Sequence, residues 1–324
     1  MRVLITGAGG FLGRALTSEL LARTGLASRD GGKAVLTHLV LADRVAVAAP
    51  SSVGIRIETI QGDISEARFT SDLARHGFDS VFHLAATLTL QAEQDPDAAF
   101  AVNVEPLRQL ISGSGDARPR VVFTSSIAVF GGALPETVDD QVRPTPTTTY
   151  GAHKAMVELL LADASRTGRV DGRALRLPIV LIRPKATTPN VSDRVAAIVR
   201  EPLAGRDVVC PLAPETRIPV ASAAAVARAL VDLHEMPAEA LPPGRALNLP
   251  ALTVTIAEML EAVERRRAAG ERVGRVTVSL DPALQVIVDG WPNRFVSADA
   301  SRLGLRSDPD FEAIIASYLA GLRQ

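Results

Sequence analysis

The chain has 324 residues, of which 47% are hydrophobic and 22% are charged, which is ordinary for a folded globular protein of one large domain or one and a half. The formal net charge is −1, so no excess of positive charge indicates binding to nucleic acid or to an anionic membrane. Cys210 is the only cysteine, which excludes an internal disulfide and a cysteine-based metal site and favours a reducing cytoplasm. The five histidines lack metal-ligand spacing, so we expect no metal.

The first residues, MRVLITG, have the pattern of a strand that enters a turn. They do not have the charged and apolar regions of a secretory signal peptide. Elsewhere no apolar run reaches about 18 residues, the length that a membrane-spanning helix needs. We therefore expect an intracellular protein that does not enter the membrane.

Six short apolar runs are predicted to be parallel strands, because each is nearly continuous, as in a sheet covered on both faces. They are Arg2–Thr6, His38–Ala42, Arg56–Gln61, Ser80–Ala85, Arg120–Ser125 and Gly172–Leu177. Helical patterns lie between them, for example at Phe11–Arg23, Phe100–Ser112 and Thr149–Ser165. The alternation predicts an α/β fold with a doubly wound parallel sheet. Ligands should gather at the edge where the strand carboxyl ends meet.

Beyond Pro178 the pattern becomes rich in proline, which interrupts regular elements and indicates a loop-rich lobe. A helix at Ala221–His234 and a strand at Ala246–Leu249 are predicted to return to the sheet. An amphipathic helix after residue 253, a short strand near Val273–Leu280 and a last helix near Phe311–Leu322 complete the chain. We therefore predict a nucleotide-binding domain of residues 1–178 plus about 221–249. Residues of about 179–220 plus 250–324 are predicted to form a smaller substrate lobe.

The segment TGAGGFLG joins the first strand to the first helix. Such a turn must be tight, and its glycines let the backbone approach a pyrophosphate that the helix N-terminus then holds. Glycine spacing alone is weak evidence, but its position at the first strand–helix junction is the context that the motif requires. The segment predicts a Rossmann-type dinucleotide site that uses Gly7, Gly10, Phe11, Leu12 and Gly13.

The second strand ends in Asp43, whose carboxylate would accept hydrogen bonds from the adenosine ribose and repel a 2′-phosphate. This favours NAD over NADP, although Arg44 leaves NADP open because an arginine can accommodate that phosphate. The ends of the third and fourth strands predict further cofactor contacts, where small residues let the cofactor lie against the backbone. These residues are Asp63, Ile64, Leu84, Ala85 and Ala86.

Tyr150 and Lys154 stand four residues apart in YGAHK, on one face of a predicted helix. Oxidation of an alcohol releases a proton, and a tyrosine with its ordinary pKa of about 10 is a poor base at neutral pH. An ammonium about 4 Å away would favour the phenolate by up to ~4 kcal/mol at an effective dielectric constant of about 20. The pair therefore predicts a tyrosine that exchanges a proton with a hydroxyl or carbonyl substrate.

The strand VVFTSS ends in Ser125 and Ser126 just before this helix. A serine hydroxyl at the end of this strand could orient the substrate oxygen toward the tyrosine. The alternation of side chains along a strand leaves open which of the two serines acts.

These stretches together resemble the extended short-chain dehydrogenase/reductases, the NAD-dependent epimerase/dehydratase superfamily. The matching segments are TGAGGFLG, LAD, GDI, HLAA, Asn103-Val104, TSSIAVFG and YGAHK, and the resemblance covers essentially the whole chain. It implies that Ser126, rather than Ser125, is the catalytic hydroxyl and that Tyr150 exchanges the proton. It also implies that Lys154 binds the nicotinamide ribose, that Asn103 supports the site from behind, and that the protein is a homodimer formed through the helices of Asn103 and Tyr150.

The run after the sixth strand, LRLPIVLIRPKATTPN, departs from the sugar-nucleotide branch, which has an asparagine and a Gly-Pro there. Pro178 stands at that place and is assigned to the cofactor side of the site. Together with CPLAPETR and GWPNRF, this run is similar to a subfamily that oxidises the C2 hydroxyl of four-carbon sugar acids with NAD. The resemblance thus implies a small anionic hydroxy acid as the substrate.

An acid of this kind needs a cation to anchor its carboxylate. Three candidates follow the sixth strand or precede the returning helix, namely Arg183, Lys185 and Arg217. Polar partners for the substrate hydroxyls are predicted at Thr87, Asn190 and Ser192. Three alternatives stay open: a nucleotide-sugar epimerase or reductase, an enzyme like L-threonine 3-dehydrogenase, and a noncatalytic NAD sensor.

Overall fold

The computed structural model describes residues 1–23, 25–29, 31–182 and 191–321. The chain forms two compact units, each assembled from three segments of the sequence. The first unit contains Met1–Val129, Pro146–Arg176 and Ala227–Leu247, and the second contains Phe130–Thr145, Leu177–Val226 and Asn248–Gln324. The sequence predicts Phe130–Thr145 within the nucleotide-binding domain, whereas this segment lies in the second unit.

A seven-stranded sheet forms the centre of the first unit. Its strands, in chain order, are β1 (Arg2–Thr6), β2 (His38–Asp43), β3 (Arg56–Gln61), β4 (Ser80–His83), β5 (Arg120–Ser126), β6 (Asp171–Leu177) and β7 (Ala246–Asn248). They are arranged in the order β7-β6-β5-β4-β1-β2-β3. The pairs β1–β2, β1–β4, β2–β3 and β4–β5 are parallel, with Thr6 opposite both Ala42 and His83. The strand order reverses direction at β1, which confirms the predicted doubly wound sheet and places a ligand crevice there.

The helices of the first unit are α1 (Phe11–Ala22), α2 (Ala67–Ala74), α3 (Thr89–Gln94), α4 (Pro96–Asn103), α5 (Glu105–Gly113), α6 (Thr149–Arg166) and most of α8 (Ala223–Glu235). The single helix predicted over Phe100–Ser112 is wrong, because α4 ends at Asn103 and α5 starts at Glu105. Pro106 occupies the first turn of α5, where its missing N–H costs nothing, but it cannot continue a helix that began earlier.

The core of the first unit explains why its strands are continuously apolar. Leu4 of β1, Val81 of β4 and Phe123 of β5 are buried in one cluster with Leu107 of α5 and Val157 of α6. Strand β3 is the exception, because it forms the edge of the sheet and contains only exposed and half-buried residues.

The second unit combines short strands with helices α7 (Val191–Leu203), α9 (Ile256–Ala268), α10 (Pro282–Asp289), α11 (Ala298–Arg302) and α12 (Phe311–Gly321). One three-stranded sheet contains Ile179–Val180, Arg217–Ala221 and Leu252–Thr255. Two-stranded pairs join Val208–Cys210 to Val276–Val278 and Arg294–Phe295 to Thr137–Val138. Throughout the described ranges, every helix is too short or too polar to traverse a bilayer.

Candidate active site and nucleotide cleft

The turn between β1 and α1 can be formed only with glycine at two positions. Gly7 has a φ of 74°, and a Cβ there would lie 2.7 Å from the backbone nitrogen of Ala85. A Cβ on Gly13 would collide with the carbonyl oxygen of Gly7 and with Ala8. Both contacts are with backbone atoms that cannot move aside, so the turn packs tightly against the end of β4.

A cleft of about 350 Å³ opens at the carboxyl ends of β1, β2 and β4, within the first unit. Eight predicted cofactor residues line it: Gly7, Gly10, Asp43, Asp63, Ile64, Leu84, Ala85 and Ala86. Phe11, Leu12 and Gly13 form the first turn of α1 beside it. Val45, Phe69 and Val102 also line the cleft, and the sequence had not singled them out because they reach it only through the fold.

Asp43 is held at the mouth of this cleft by two backbone donors. Its Oδ2 accepts a hydrogen bond from Gly9 N at 2.8 Å, and its Oδ1 accepts one from Val45 N at 3.1 Å. A Cβ on Gly9 would lie 3.1 Å from the carboxylate carbon, so the absence of a side chain at Gly9 allows this approach. The fixed carboxylate beside the glycine turn fits an adenosine ribose and disfavours a 2′-phosphate.

Asp63 has a local hydrogen-bonding role besides lining the cleft. Its Oδ1 accepts hydrogen bonds from the Ser65 hydroxyl at 2.7 Å and from Ser65 N at 2.9 Å. These donors hold the pKa of Asp63 below its ordinary value. The carboxylate therefore shapes the turn that places Ile64 in the cleft.

Helix α6 begins against the segment that follows Ser126. Thr148 caps the helix by accepting a hydrogen bond from Gly151 N at 3.1 Å. A Cβ on Gly151 would collide with the carbonyl group of Ala128, so only glycine lets the first turn of α6 approach so closely. This contact brings the turn that carries Tyr150 against the residues next to Ser126, and the spacing of the YGAHK motif gave no sign of it.

Lys154 lies one helical turn after Tyr150 and is 2% exposed. Its Nζ donates a hydrogen bond to the carbonyl oxygen of Thr124 at 2.8 Å, and it lies 5.5 Å from the centre of the Tyr150 ring and 4.5 Å from that of Phe123. Burial lowers the pKa of Lys154 to about 7, and the charge of Glu158 opposes this shift. An ammonium at this position favours a negatively charged phenol.

The two serines at the end of β5 have different surroundings. Ser125 is buried, and its hydroxyl donates to Oε1 of Glu158 at 2.5 Å. Ser126 is half-buried, and its Oγ accepts a hydrogen bond from Ala128 N at 3.1 Å. A hydroxyl that accepts this bond keeps its own proton for another acceptor, so Ser126 is the better placed of the two to donate to a substrate oxygen.

Asn103 is buried at the end of α4 and binds the loop that follows β4. Its Oδ1 accepts from Thr87 N at 2.8 Å, and its Nδ2 donates to the carbonyl oxygen of Thr87 at 3.1 Å. His153 of α6 lies 3.5 Å from the same Nδ2. Asn103 therefore fixes the backbone of Thr87, which lines the cleft.

His83, the last residue of β4, is a buried member of the site that the sequence analysis did not identify. Its Nδ1 lies 2.8 Å from Oγ1 of Thr6, and its ring stacks on Phe123. Burial, together with the charge of Lys154, lowers the pKa of His83 to about 3. The imidazole is therefore neutral at physiological pH and adds no positive charge beside Lys154.

The predicted substrate-binding residues of the second unit are only partly described. Arg183, Lys185 and Asn190 lie outside the described residues. Ser192 is half-buried in the first turn of α7, and Pro178 is buried between β6 and the strand Ile179–Val180. Arg217 is exposed and donates from Nη1 to Oε1 of Glu136 at 2.7 Å.

Comparison of the sequence with known proteins identifies one family and two full-length relatives of the same activity. The model of the NAD dependent epimerase/dehydratase family matches residues 3–249. The chain is 41% identical to D-erythronate dehydrogenase of Cupriavidus necator, with 99% of each protein covered. It is 35% identical to D-erythronate dehydrogenase of Haemophilus influenzae, with 98% of this chain and 99% of that protein covered.

Among solved structures, the fold is similar to a nucleoside-diphosphate-sugar epimerase from Agrobacterium tumefaciens. The TM-score is 0.88 at 34% identity, with 97% of this chain and 92% of that chain covered. The family model and the full-length relatives together place the chain in one family. The chain belongs to the NAD dependent epimerase/dehydratase family.

Proposed function

We propose that this protein is an NAD-dependent dehydrogenase that oxidises the C2 hydroxyl of D-erythronate, or of a closely similar four-carbon sugar acid, to the 2-keto acid. The main observation in support is the buried Lys154 ammonium. Its Nζ lies 5.5 Å from the centre of the Tyr150 ring, where it favours the phenolate that would act as the base. The similarity to two D-erythronate dehydrogenases over nearly the whole chain supports the choice of substrate.

In the proposed mechanism, Tyr150 and Ser126 bind the C2 hydroxyl of the substrate, and Ser126 orients its oxygen. NAD, when bound, would supply the acceptor for the hydride that leaves C2. Tyr150, kept as a phenolate by the Lys154 ammonium, takes the proton of the C2 hydroxyl, so that C2 and its oxygen become the keto group, and Lys154 would also hold the ribose. Asn103 and Asp43 act outside the reacting atoms, since Asn103 fixes Thr87 and the Asp43 carboxylate, held by Gly9 N, would accept hydrogen bonds from the adenosine ribose.

The second unit is proposed to be the substrate lobe and to supply the cation that binds the carboxylate. Arg217 is the one of the three candidate cations that lies within the described residues, and its guanidinium already binds the carboxylate of Glu136. That pair is more than half exposed, so its two partners are held together weakly and Arg217 can exchange one carboxylate for another. Arg183 and Lys185 stay equal candidates on the sequence, and Thr87, Ser192 and Asn190 are proposed partners of the substrate hydroxyls.

A second candidate function is epimerisation or reduction of a nucleotide sugar. It is favoured by the similarity to the epimerase from Agrobacterium tumefaciens, which matches this fold over 97% of the chain. Such an enzyme would use the same Tyr150 and Ser126. It would keep NAD bound through turnover, whereas a dehydrogenase must exchange it.

We expect D-erythronate to be the best substrate in a panel of four-carbon sugar acids, with L-threonine and UDP-sugars as controls. NADH formation at 340 nm, measured as kcat/KM for each compound with NAD and with NADP, tests this expectation. Turnover of a UDP-sugar without net NADH formation would establish the epimerase. Activity with threonine alone would identify an enzyme like L-threonine 3-dehydrogenase.

We also propose that the protein is a cytoplasmic homodimer that associates through α4 and α6. The supporting observation is an apolar stripe on the outer face of α6, where Leu159 is 74% exposed and Met156 is 48% exposed. The single cysteine and the use of NAD support the location.

Leu159→Glu should convert this dimer to a monomer, because the charge would be buried at the interface. Sedimentation velocity of both proteins at the same concentration measures the change. Val286→Glu on α10 is the matched control, since Val286 is 73% exposed and lies on another helix. A monomeric parent protein would contradict the proposed dimer, and a dimer that persists in Leu159→Glu would contradict the proposed interface.

A further inference from the structure

A buried polar network lies directly behind Lys154, and the proposed proton transfer does not use it. Glu158 of α6 is 7% exposed and accepts hydrogen bonds on both carboxylate oxygens. Oε1 receives the Ser125 hydroxyl at 2.5 Å and Arg176 Nε at 2.9 Å, and Oε2 receives Arg176 Nη2 at 2.7 Å. Strands β5 and β6 thus hold one side chain of α6 in a single orientation.

The position of this carboxylate relates it to the catalytic pair. Tyr150, Lys154 and Glu158 follow one another at intervals of four residues, which places all three on one face of α6. Lys154 lies between the phenol and the carboxylate. A charge on Glu158 therefore acts on the ammonium, which in turn acts on Tyr150.

Apart from the Tyr150 phenolate itself, the described groups beside Lys154 on β4 and β5 supply no negative charge. Thr124 contributes a neutral carbonyl oxygen from β5. His83 of β4 is neutral because burial lowers its pKa to about 3. Burial acts against the Lys154 ammonium, and Glu158 is the carboxylate whose charge raises the pKa of Lys154.

We propose that Glu158, held in place by Ser125 and Arg176, is a positioning residue that keeps Lys154 protonated and thereby sets the pH range over which Tyr150 acts. The effect on Tyr150 rests on the proposed dehydrogenase function. The effect on Lys154 does not, because it depends only on charges within the first unit.

The pair Glu158 and Arg176 allows a test in which two substitutions act in opposite directions. Glu158→Gln removes the attractive charge and leaves a guanidinium that repels the ammonium, so Lys154 should lose its proton at lower pH. Arg176→Gln removes the repulsive charge and leaves the carboxylate, so Lys154 should keep its proton to higher pH. Damage to packing alone would not produce shifts of opposite sign.

Lys154 can be titrated directly because the sequence contains only two other lysines, Lys33 and Lys185. We would label the lysine ε-carbons with ¹³C, assign the signals by Lys33→Arg and Lys185→Arg, and follow the Lys154 signal against pH without cofactor or substrate. We expect Glu158→Gln to move the midpoint down by about one pH unit, and Arg176→Gln to move it up. Ser125→Ala keeps both charges and should leave the midpoint close to that of the parent protein.

The pH profile of kcat/KM supplies the second measurement. If Lys154 must be protonated, its loss of a proton forms the basic limb, which should move to lower pH in Glu158→Gln and to higher pH in Arg176→Gln. Shifts of the Lys154 signal in the same direction, or no shift in either variant, would overturn the proposal. If Glu158→Gln does not fold, the sign of the Arg176→Gln shift decides. Should the signal shift as expected while the substrate panel shows no NADH formation, the proposed function fails and the role of Glu158 stands.

Discussion

Tyr150→Phe should lower kcat for oxidation of the sugar acid by ~10²–10⁴-fold or more, with the affinity for NAD little changed. The substitution removes one oxygen, and with it the group that takes the proton from the substrate hydroxyl. The aromatic ring remains, so the packing around Lys154, whose Nζ lies 5.5 Å from the ring centre, is preserved. The loss should therefore appear in the chemical step rather than in cofactor binding.

The chain offers a matched control, because Tyr318 is its only other tyrosine. Tyr318→Phe makes the same chemical change on α12, in the second unit. Initial rates under saturating NAD, together with titration of NAD by fluorescence, separate catalysis from binding in both variants. Full activity in Tyr150→Phe would refute the assigned base. An equal loss in both variants would attribute the effect to folding.

The parallel sheet could be predicted from the sequence because burial on both faces leaves a strong local signal. Strands such as β1 and β5 are almost continuously buried, and their short apolar runs alternate with longer helical patterns. The glycine turn could be predicted for a similar reason, since the positive φ of Gly7 and the contact of Gly13 with Gly7 and Ala8 arise within one strand–turn–helix unit.

The boundary between α4 and α5 was missed because periodicity alone does not weigh the proline at residue 106. The helical pattern continues through Val104 and Leu107, which are both buried, so the apolar spacing suggests one helix. The backbone cannot follow it, because Pro106 has no N–H to donate to the preceding turn. The missing N–H of Pro106 therefore ends the helix although the apolar spacing continues.

Contacts between distant segments account for the parts of the site that could not be predicted. Gly9 matters because Asp43, 34 residues later, approaches its N–H. Gly151 matters because Ala128 lies where a side chain would be. In the sequence, Glu158 is indistinguishable from an ordinary charged helix residue. Only the fold shows that it accepts hydrogen bonds from Ser125 of β5 and Arg176 of β6. Each depends on a partner that the spacing of residues within one element does not reveal.

A second large effect is expected far from the cleft, at Arg173 on β6. This side chain is fully buried, and its Nη1 donates hydrogen bonds to the carbonyl oxygens of Leu233, His234 and Met236 at 2.7–3.0 Å. Those carbonyls belong to the end of α8 and the residue after it, where a helix leaves its last acceptors without partners. Asp171 binds the same guanidinium and also binds Arg120 and Arg245.

Arg173→Leu should therefore destabilise the protein by about 3–5 kcal/mol, because it removes the side-chain donor to the Met236 carbonyl, one donor to each of the Leu233 and His234 carbonyls, and one partner of the Asp171 carboxylate. Denaturation by urea, followed by circular dichroism, measures the loss. Arg166→Leu is the matched control, since Arg166 is exposed and its pair with Asp163 is worth at most about 1 kcal/mol. An equal cost in both variants would contradict a stabilising role for this network.

Measurements of activity can distinguish the stabilising role of Arg173 from the catalytic role of the site. Arg173 lies near the start of β6, whereas the cleft and Ser126 lie at the carboxyl ends of the strands. Folded Arg173→Leu protein, assayed at low temperature, should thus retain the kcat and the pH profile of the parent protein. A lower kcat in protein that is still folded would show that the amino ends of the strands, near Arg173, are coupled to the carboxyl ends, where the cleft lies. The two roles would then not be separate.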